Sequence, residues 1–202
     1  MMNYISINNQ KIELTEEQIE KIRASIGVST TKLSDIAVGE TFKCGKYEFI
    51  VLEHSKETTA VILKDLLCGS KQFGSNNNYN GSYMDCGCNE FADTIAEIIG
   101  KKNIVEHTVD LTSDDGLKDY GKVKRRMSLL TANLYRRYVE ILDKHKIDGW
   151  WWLATPHSTS THGNSSWVKC VSPSGNVINH YYDDFIGFRP FCILDSNIFV
   201  SK

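Results

Sequence analysis

Two short polar stretches hold the densest runs of side chains able to contact a ligand. Between Thr155 and Ser166 the chain places His157, Ser158, Thr159, Thr161, His162, Asn164 and Ser165, and a second run follows at Tyr181-Tyr182-Asp183-Asp184-Phe185. Hydroxyls, amides and imidazoles both donate and accept hydrogen bonds, and tyrosine offers rigid amphipathic contact area. Loops carried on a rigid scaffold are where recognition concentrates. His157, Thr159, His162, Asn164, Tyr181, Tyr182, Asp183 and Asp184 are therefore the candidate ligand contacts; for the first run, a plain solvated connection is the competing reading. His157 and His162 match no metal-ligand spacing and have no paired carboxylate close by, so no metal is expected. Cys86-Gly87-Cys88 lacks the second close pair of a zinc or redox motif, and no cofactor is expected.

Other chemistry has little local support. The sequence has no G-x-x-x-x-G-K-S/T phosphate loop, no G-x-G-x-x-G turn, no H-E-x-x-H and no G-x-S-x-G. Leu111 to Lys122 has an Asp115-Gly116 centre like a calcium loop, but Leu111 and Lys122 stand where its first and last carboxylates belong. It reads as a turn. Residues 117–146 hold nine Lys or Arg against three acids, whereas residues 85–115 hold eight acids against two lysines. A basic patch over 118–137, centred on Lys124, Arg125, Arg126, Arg136 and Arg137, could meet nucleic acid or an acidic protein. Alternatively the two regions neutralise one another across the fold. Arg189, between aromatic neighbours, reads as a structural hub for loop carbonyls rather than an anion site.

The elements that must position these groups follow from periodicity. Residues 3–14 alternate weakly, as a short strand or a hairpin would, and Thr15-Glu16-Glu17-Gln18 is a capping box for a helix with Ile19, Ile22 and Ile26 on one stripe, stopped at Gly27. Ser29 to Lys32 reads as a linker, leaving residues 1–28 as a strand-helix appendage to a domain over 33–202. Strands are expected at 41–44, 47–51 and 60–63, and a Gly/Ser/Asn-rich loop at 70–82. Helical spacing covers 89–100, with Asn89 near the start, and 132–143, capped by Thr131 or Asn133. Trp150-Trp151-Trp152-Leu153 is a buried strand, in which Trp150 and Trp152 share one face as core residues and Trp151 takes the other. Trp167–Val171 and Val177-Ile178 form a hairpin around Pro173-Ser174-Gly175, and terminal strands lie within 191–200. The sum is an α+β domain with a β-rich, aromatic C-terminal half.

The 202 residues, 41% apolar and 24% charged with net charge −2, suit one large soluble domain and argue against a generally basic nucleic-acid binder. No apolar run approaches the ~20 residues of a membrane span, and Met1 to Gln10 does not read as a secretory signal. A cytoplasmic or virion-associated location without membrane contact is expected, with the six cysteines reduced.

The motifs Trp150-Trp151-Trp152-Leu153-Ala154-Thr155-Pro156, Ser174-Gly175 and Gly187-Phe188-Arg189-Pro190-Phe191 together resemble, over roughly residues 33–202, a domain of unknown function common in Firmicutes genomes and their prophages. Its pattern is W-L-(A/R)-(T/S)-P, a V-x-x-G hairpin, then G-(V/F)-R-P. Asp110-Leu111-Thr112, Gly116-Leu117, Tyr120-Gly121 and Ser128-Leu129-Leu130-Thr131 look like its central segment. Through the tryptophan strand and G-F-R ending, this family is similar to the C-type-lectin-like fold of formylglycine-generating enzymes and retroelement variable proteins. The resemblance implies a twisted β-core with two flanking helices and irregular loops that display ligand contacts. Cys170 and Cys192 do not reproduce the copper-holding cysteines of those enzymes, so no enzymatic activity is carried over. The function expected is that of a non-enzymatic, phage- or prophage-associated binding protein that engages a protein or glycan through loops 155–166 and 179–186. One alternative is a mobile-element inhibitor of a host nucleic-acid-guided defence, acting on nucleic acid or ribonucleoprotein through the basic patch; the third and least favoured reading is an enzyme of the formylglycine-generating kind.

Overall fold

Runs of β-branched and aromatic residues separated by glycine turns build an α+β fold around a curled antiparallel sheet. In this computed structural model, residues 3–7, 10–15, 17–19, 21 and 30–202 are described. The large sheet comprises β3 (Thr30–Lys32), β4 (Thr41–Cys44), β5 (Tyr47–His54), β6 (Thr58–Leu63), β10 (Met127–Ser128), β14 (Phe191–Asp195) and β15 (Phe199–Ser201). Its order is β10-β14-β6-β5-β4-β15-β3, with β7 (Ile104–Val105) also paired to β14. Thr30–Lys32, read above as linker, is thus the sheet's edge strand, held by Phe199–Ser201. The sheet of the 33–202 domain therefore takes in these three residues as well.

At the N-terminus, β1 (Asn3–Ile7) and β2 (Gln10–Leu14) pair as the expected hairpin. The capping box closes reciprocally: Thr15 N–H donates to Gln18 Oε1 at 2.9 Å, and Gln18 N–H donates to Thr15 Oγ1 at 3.2 Å. Ile22, Ile26 and Gly27 lie outside the described residues.

Both faces of the large sheet are buried, because side chains alternate along each strand. Phe49 and Val51 enter one core while Ile50 and Leu52 enter the other. The first core is covered by α1 (Tyr83–Ile99), whose Met84, Cys88, Phe91, Ala92 and Ile95 are buried. Its N-cap is Ser82, whose hydroxyl accepts from Asp85 N–H at 3.1 Å, so the helix starts well before the expected Asn89. Gly87 hid this extension, since glycine weakens a helical pattern. It is required by packing: a Cβ there would stand 3.2 Å from the buried Phe188 ring. The second core is covered by α2 (Ala132–Arg137), capped by Thr131, and α3 (Val139–Leu142), which bury Tyr135, Tyr138 and Leu142.

A second sheet, β11 (Trp151–Pro156), β12 (Trp167–Val171) and β13 (Val177–Tyr181), joins the two cores. Trp152, Ala154, Val168 and Cys170 face the first, and Trp151, Leu153 and Val171 the second. Trp150 departs from the expectation. It precedes the strand and is 37% exposed, with its ring 5.0 Å from His180, so it is not core. Trp152 is fully buried and donates its Nε1–H to Lys71 C=O at 3.0 Å. Arg189 is 1% exposed, donates from Nε to Leu63 C=O at 3.0 Å, and lies over the Trp151 ring at 5.1 Å. Burial pulls its pKa down to about 10, which leaves it charged at neutral pH. Trp152 is thus a core residue, whereas Arg189 meets one strand carbonyl and not a set of loop carbonyls, and its buried Nη2 has no hydrogen-bond partner among the described residues. The remaining strands, β8 (His107–Asp110) and β9 (Lys122–Arg125), form a hairpin whose connection carries residues 111–121.

Candidate functional site

The first polar loop leaves the sheet at Pro156 and returns at Trp167, and its interior is pinned by two aspartates from the 111–121 connection. Asp115 Oδ2 accepts from Ser158 Oγ at 2.6 Å and from His162 Nδ1 at 3.0 Å, while its other oxygen accepts from Ser113 Oγ. Hydrogen bonds from Ser113 and Ser158, with His162 adding to them, hold the Asp115 carboxyl well below the usual carboxylate range. Asp119 accepts from the Thr159 hydroxyl, and its pKa is likewise lowered by Thr159 and Thr161. Thr159 is fully buried. It positions the loop from beneath and does not present a ligand contact, which corrects that expectation.

Asn77, from the 70–82 loop, ties three segments together at a fully buried position. Its Nδ2 donates to Ser158 C=O at 2.9 Å and Trp167 C=O at 3.0 Å, and its Oδ1 accepts from Tyr120 OH at 2.7 Å. A buried amide with partners on both sides fixes its surroundings in one arrangement.

The second polar loop is joined directly to the first. Tyr182 N–H donates to Ser166 C=O at 2.9 Å, and the Trp167 and Tyr181 rings sit 4.0 Å apart at 31°. Asp184 closes the turn, with Oδ2 accepting from Tyr181 N–H at 3.1 Å and lying 2.9 Å from His180 Nδ1. Phe73 N–H binds Tyr182 C=O, and Gln72 Nε2 donates to Asp183 C=O at 3.0 Å. The outward groups are Tyr181, 47% exposed, Phe185, 69% exposed, and the side chains of Asp183 and His162. Tyr182 is half-buried against the first core, and Asn164 Oδ1 accepts from Ser166 N–H within its own turn. His157 is half-buried, its backbone N–H bonded to Trp167 C=O.

This arrangement does not assemble a nucleophile. The Asp115 carboxylate stands between the Ser158 hydroxyl and the His162 imidazole, so the hydroxyl donates to a carboxylate and has no imidazole base beside it. Among the described residues no cluster of three His, Cys, Asp or Glu could hold a metal ion. Asp115, Asp119 and Asn77 were not singled out from sequence. The only signal was the acidic spacing in the segment read as a turn.

The basic segment is largely neutralised. Arg125 grips Asp85 bidentately, Nε and Nη2 each at 2.7 Å from a carboxylate oxygen. Arg126 pairs with Asp93 at 2.6 Å, Arg136 with Asp114 at 3.2 Å, and Arg137 with Glu53. Lys122 adds Asp110 at 2.9 Å, and the buried Lys169 a second contact to Asp114 at 2.7 Å. Of the five proposed polyanion contacts, only Lys124 is exposed without an ion pair among the described residues. The acidic 85–115 region and the basic 117–146 region therefore meet and cancel. A polar cleft of about 530 Å³ lies beside these pairs, lined by Asp110, Thr112, Asp114, Asn133, Arg136 and Thr155.

No protein-family model, curated protein or solved structure matches the chain.

Proposed function

We propose that the protein is a non-enzymatic binding module of phage or prophage origin, with a C-type-lectin-like domain that engages a protein or glycan through loops 155–166 and 179–186. The observation that carries this reading is the union of the two loops into one face. Ser166 and Tyr182 bond directly, the Trp167 and Tyr181 rings are in tilted contact, and Asp115, Asp119 and Asn77 hold the first loop in place by hydrogen bonds. A braced surface with exposed aromatic and polar side chains loses little conformational entropy on binding. The lectin-like assignment is supported by the curled antiparallel core, with helical cover on both faces and long ordered loops at one end. A cytoplasmic or virion-associated setting favours a protein partner over a free sugar.

The reading is tested by quantitative capture on immobilised wild type, on a Tyr181→Ala/Phe185→Ala/His162→Ala variant and on an Arg136→Glu/Arg137→Glu variant, together with a glycan array. Expected is a stoichiometric, nuclease-resistant partner, or one glycan class, held by wild type and by the charge-reversed variant but lost from the loop variant. Retention by the loop variant, or loss caused by nuclease or charge reversal alone, would overturn it.

A further inference from the structure

Arg189 is 1% exposed, and its one hydrogen bond among the described residues runs from Nε to Leu63 C=O. A guanidinium carries five N–H donors in a fixed fork and stays charged at neutral pH. The donors on Nη1 and Nη2 meet no protein acceptor among the described residues, and Nη2 is sealed from solvent. No described carboxylate forms an ion pair with it; Asp65 acts on it only through space, from an exposed position. The Trp151 ring covers it at 5.1 Å. That cation–π contact offsets only part of the cost of taking a guanidinium out of water, and it accepts none of the in-plane donors.

Arg189 forms part of the wall of a pocket between the α2–α3 pair and the turn that joins β12 to β13. Its free volume is about 10 Å³, the space of one water-sized occupant. Leu142, Ile147, Trp151 and Val171 make much of the wall apolar. Tyr135 also lines it, but its hydroxyl proton is already given to Gly175 C=O at 2.7 Å. The charged groups of the wall are Arg189, Lys146 and Asp143, and the last two pair with each other at 3.6 Å, both about half exposed. Two cations therefore face one acid, and the unmatched charge is the buried one. A trapped water would accept from the guanidinium and leave that charge uncompensated, which is the costly way to bury an ion.

We infer that this pocket is a binding site for a single halide ion, chloride under ordinary conditions, held by the Arg189 guanidinium with Lys146 as the outer cation. The ion accepts from the free guanidinium donors and matches the buried charge at once. Size sets the class of anion, because a space for one water-sized occupant admits a monatomic ion and excludes sulfate, phosphate or a carboxylate. Asp143 opposes the anion and limits its affinity. Once bound, the ion ties the α2–α3 segment to the 172–175 turn, a contact that the unfolded chain does not have, so chloride stabilises the folded state by mass action. The inference does not depend on the binding role proposed above.

The test is urea denaturation of the full chain at constant ionic strength, with chloride replacing gluconate, an anion too large for the pocket, from about 10 mM to about 500 mM. Expected is a folding constant that rises about ten-fold or more over that range, the rise given by an ion that binds only the folded state with a Kd at or below about 50 mM. Bromide should act in the same way, and Arg189→Gln should abolish the dependence. If that variant fails to fold, the two half-exposed positions carry the test. Lys146→Ala should weaken chloride at least about two-fold and Asp143→Asn should tighten it at least about two-fold, opposite signs that a general salt effect does not produce. A crystal grown in bromide should show an anomalous peak beside the Arg189 guanidinium. Equal stability in chloride and gluconate would overturn the inference, as would an undiminished dependence in folded Arg189→Gln, the lack of opposite shifts at Lys146 and Asp143, or a water without bromide beside the guanidinium.

Discussion

A single carboxylate, Asp115, receives Ser113, Ser158 and His162, and so couples the 111–121 connection to the loop that carries the candidate contacts. Its folded pKa is depressed below the ordinary value of about 3.9, so its contribution is present above that pH and is lost as pH falls through the folded value. Amide protection factors over residues 158–164, with the intrinsic pH dependence of exchange divided out, should therefore be high and flat from pH 7 down to about 4.5 and fall only in stronger acid. Asp115→Asn should lower them across the whole range. His107 behaves oppositely in window though not in sign. It is half-buried with its Nε2 2.8 Å from Ser128 Oγ, and desolvation pulls its pKa down to about 4. Because the neutral ring is favoured in the fold, the stability it protects is intact above about pH 6.5 and is lost between there and about pH 4. Over that range the loss should be of order 2–3 kcal/mol. Urea denaturation at pH 7 and pH 5 should show the drop in wild type and a flatter profile in His107→Leu.

Helix α1 shows how local preference and packing divide the control of an element. Gly87 lies in its first turns, and Ala in its place would ordinarily gain about 1 kcal/mol of helix propensity. The Phe188 ring stands in the way at 3.2 Å and is only 1% exposed, so it has no space to retreat into. Gly87→Ala should thus destabilise by about 1 kcal/mol, since overpacking a close-packed site costs more than the propensity returns. Calorimetry of the variant would show a lowered Tm; a raised one would mean that Phe188 moves. The same position explains why the helix start was illegible in sequence. Elements whose pattern is strictly local were readable: the Thr15-Gln18 capping box, the β4–β5 turn at Gly45-Lys46, the Thr131 cap, and the hairpin around Gly175. Those decided by distant partners were not. Thr30–Lys32 is a strand because Phe199–Ser201 lies beside it, Thr159 is buried with its hydroxyl on the distant Asp119, and Trp150 stands outside the core with its ring against His180. The two candidate loops were legible as polar runs and as neighbours, but the residues that brace them lie 40 or more positions away.

Taken together, the charges form a stitched surface more than a field. Acidic α1 and the 107–115 segment meet the basic 118–137 segment through Arg125–Asp85, Arg126–Asp93, Lys122–Asp110 and Arg136–Asp114. The most buried of these, Asp85 with 3% of its side chain exposed, also accepts from Gly81 N–H. Asp85→Ala would strand the Arg125 guanidinium, at 21% exposure, and should cost about 3 kcal/mol, the lower end for breaking a buried pair because the arginine can turn toward water. A guanidinium already paired with a carboxylate must give up that pair before it can neutralise a phosphate and displace a cation condensed on the nucleic acid, so the basic segment is expected to contribute little to nucleic-acid affinity. Fluorescence anisotropy with a short duplex should then show no binding tighter than about 10⁻⁴ M at physiological salt, and a dependence of log K on log salt no steeper than about −2. Asp85→Ala and Asp93→Ala together should free Arg125 and Arg126 and steepen that slope by up to about 2 in a protein that still folds. A steep slope in wild type would show that the ion pairs open to receive phosphate, returning the basic segment to the centre of the protein's function.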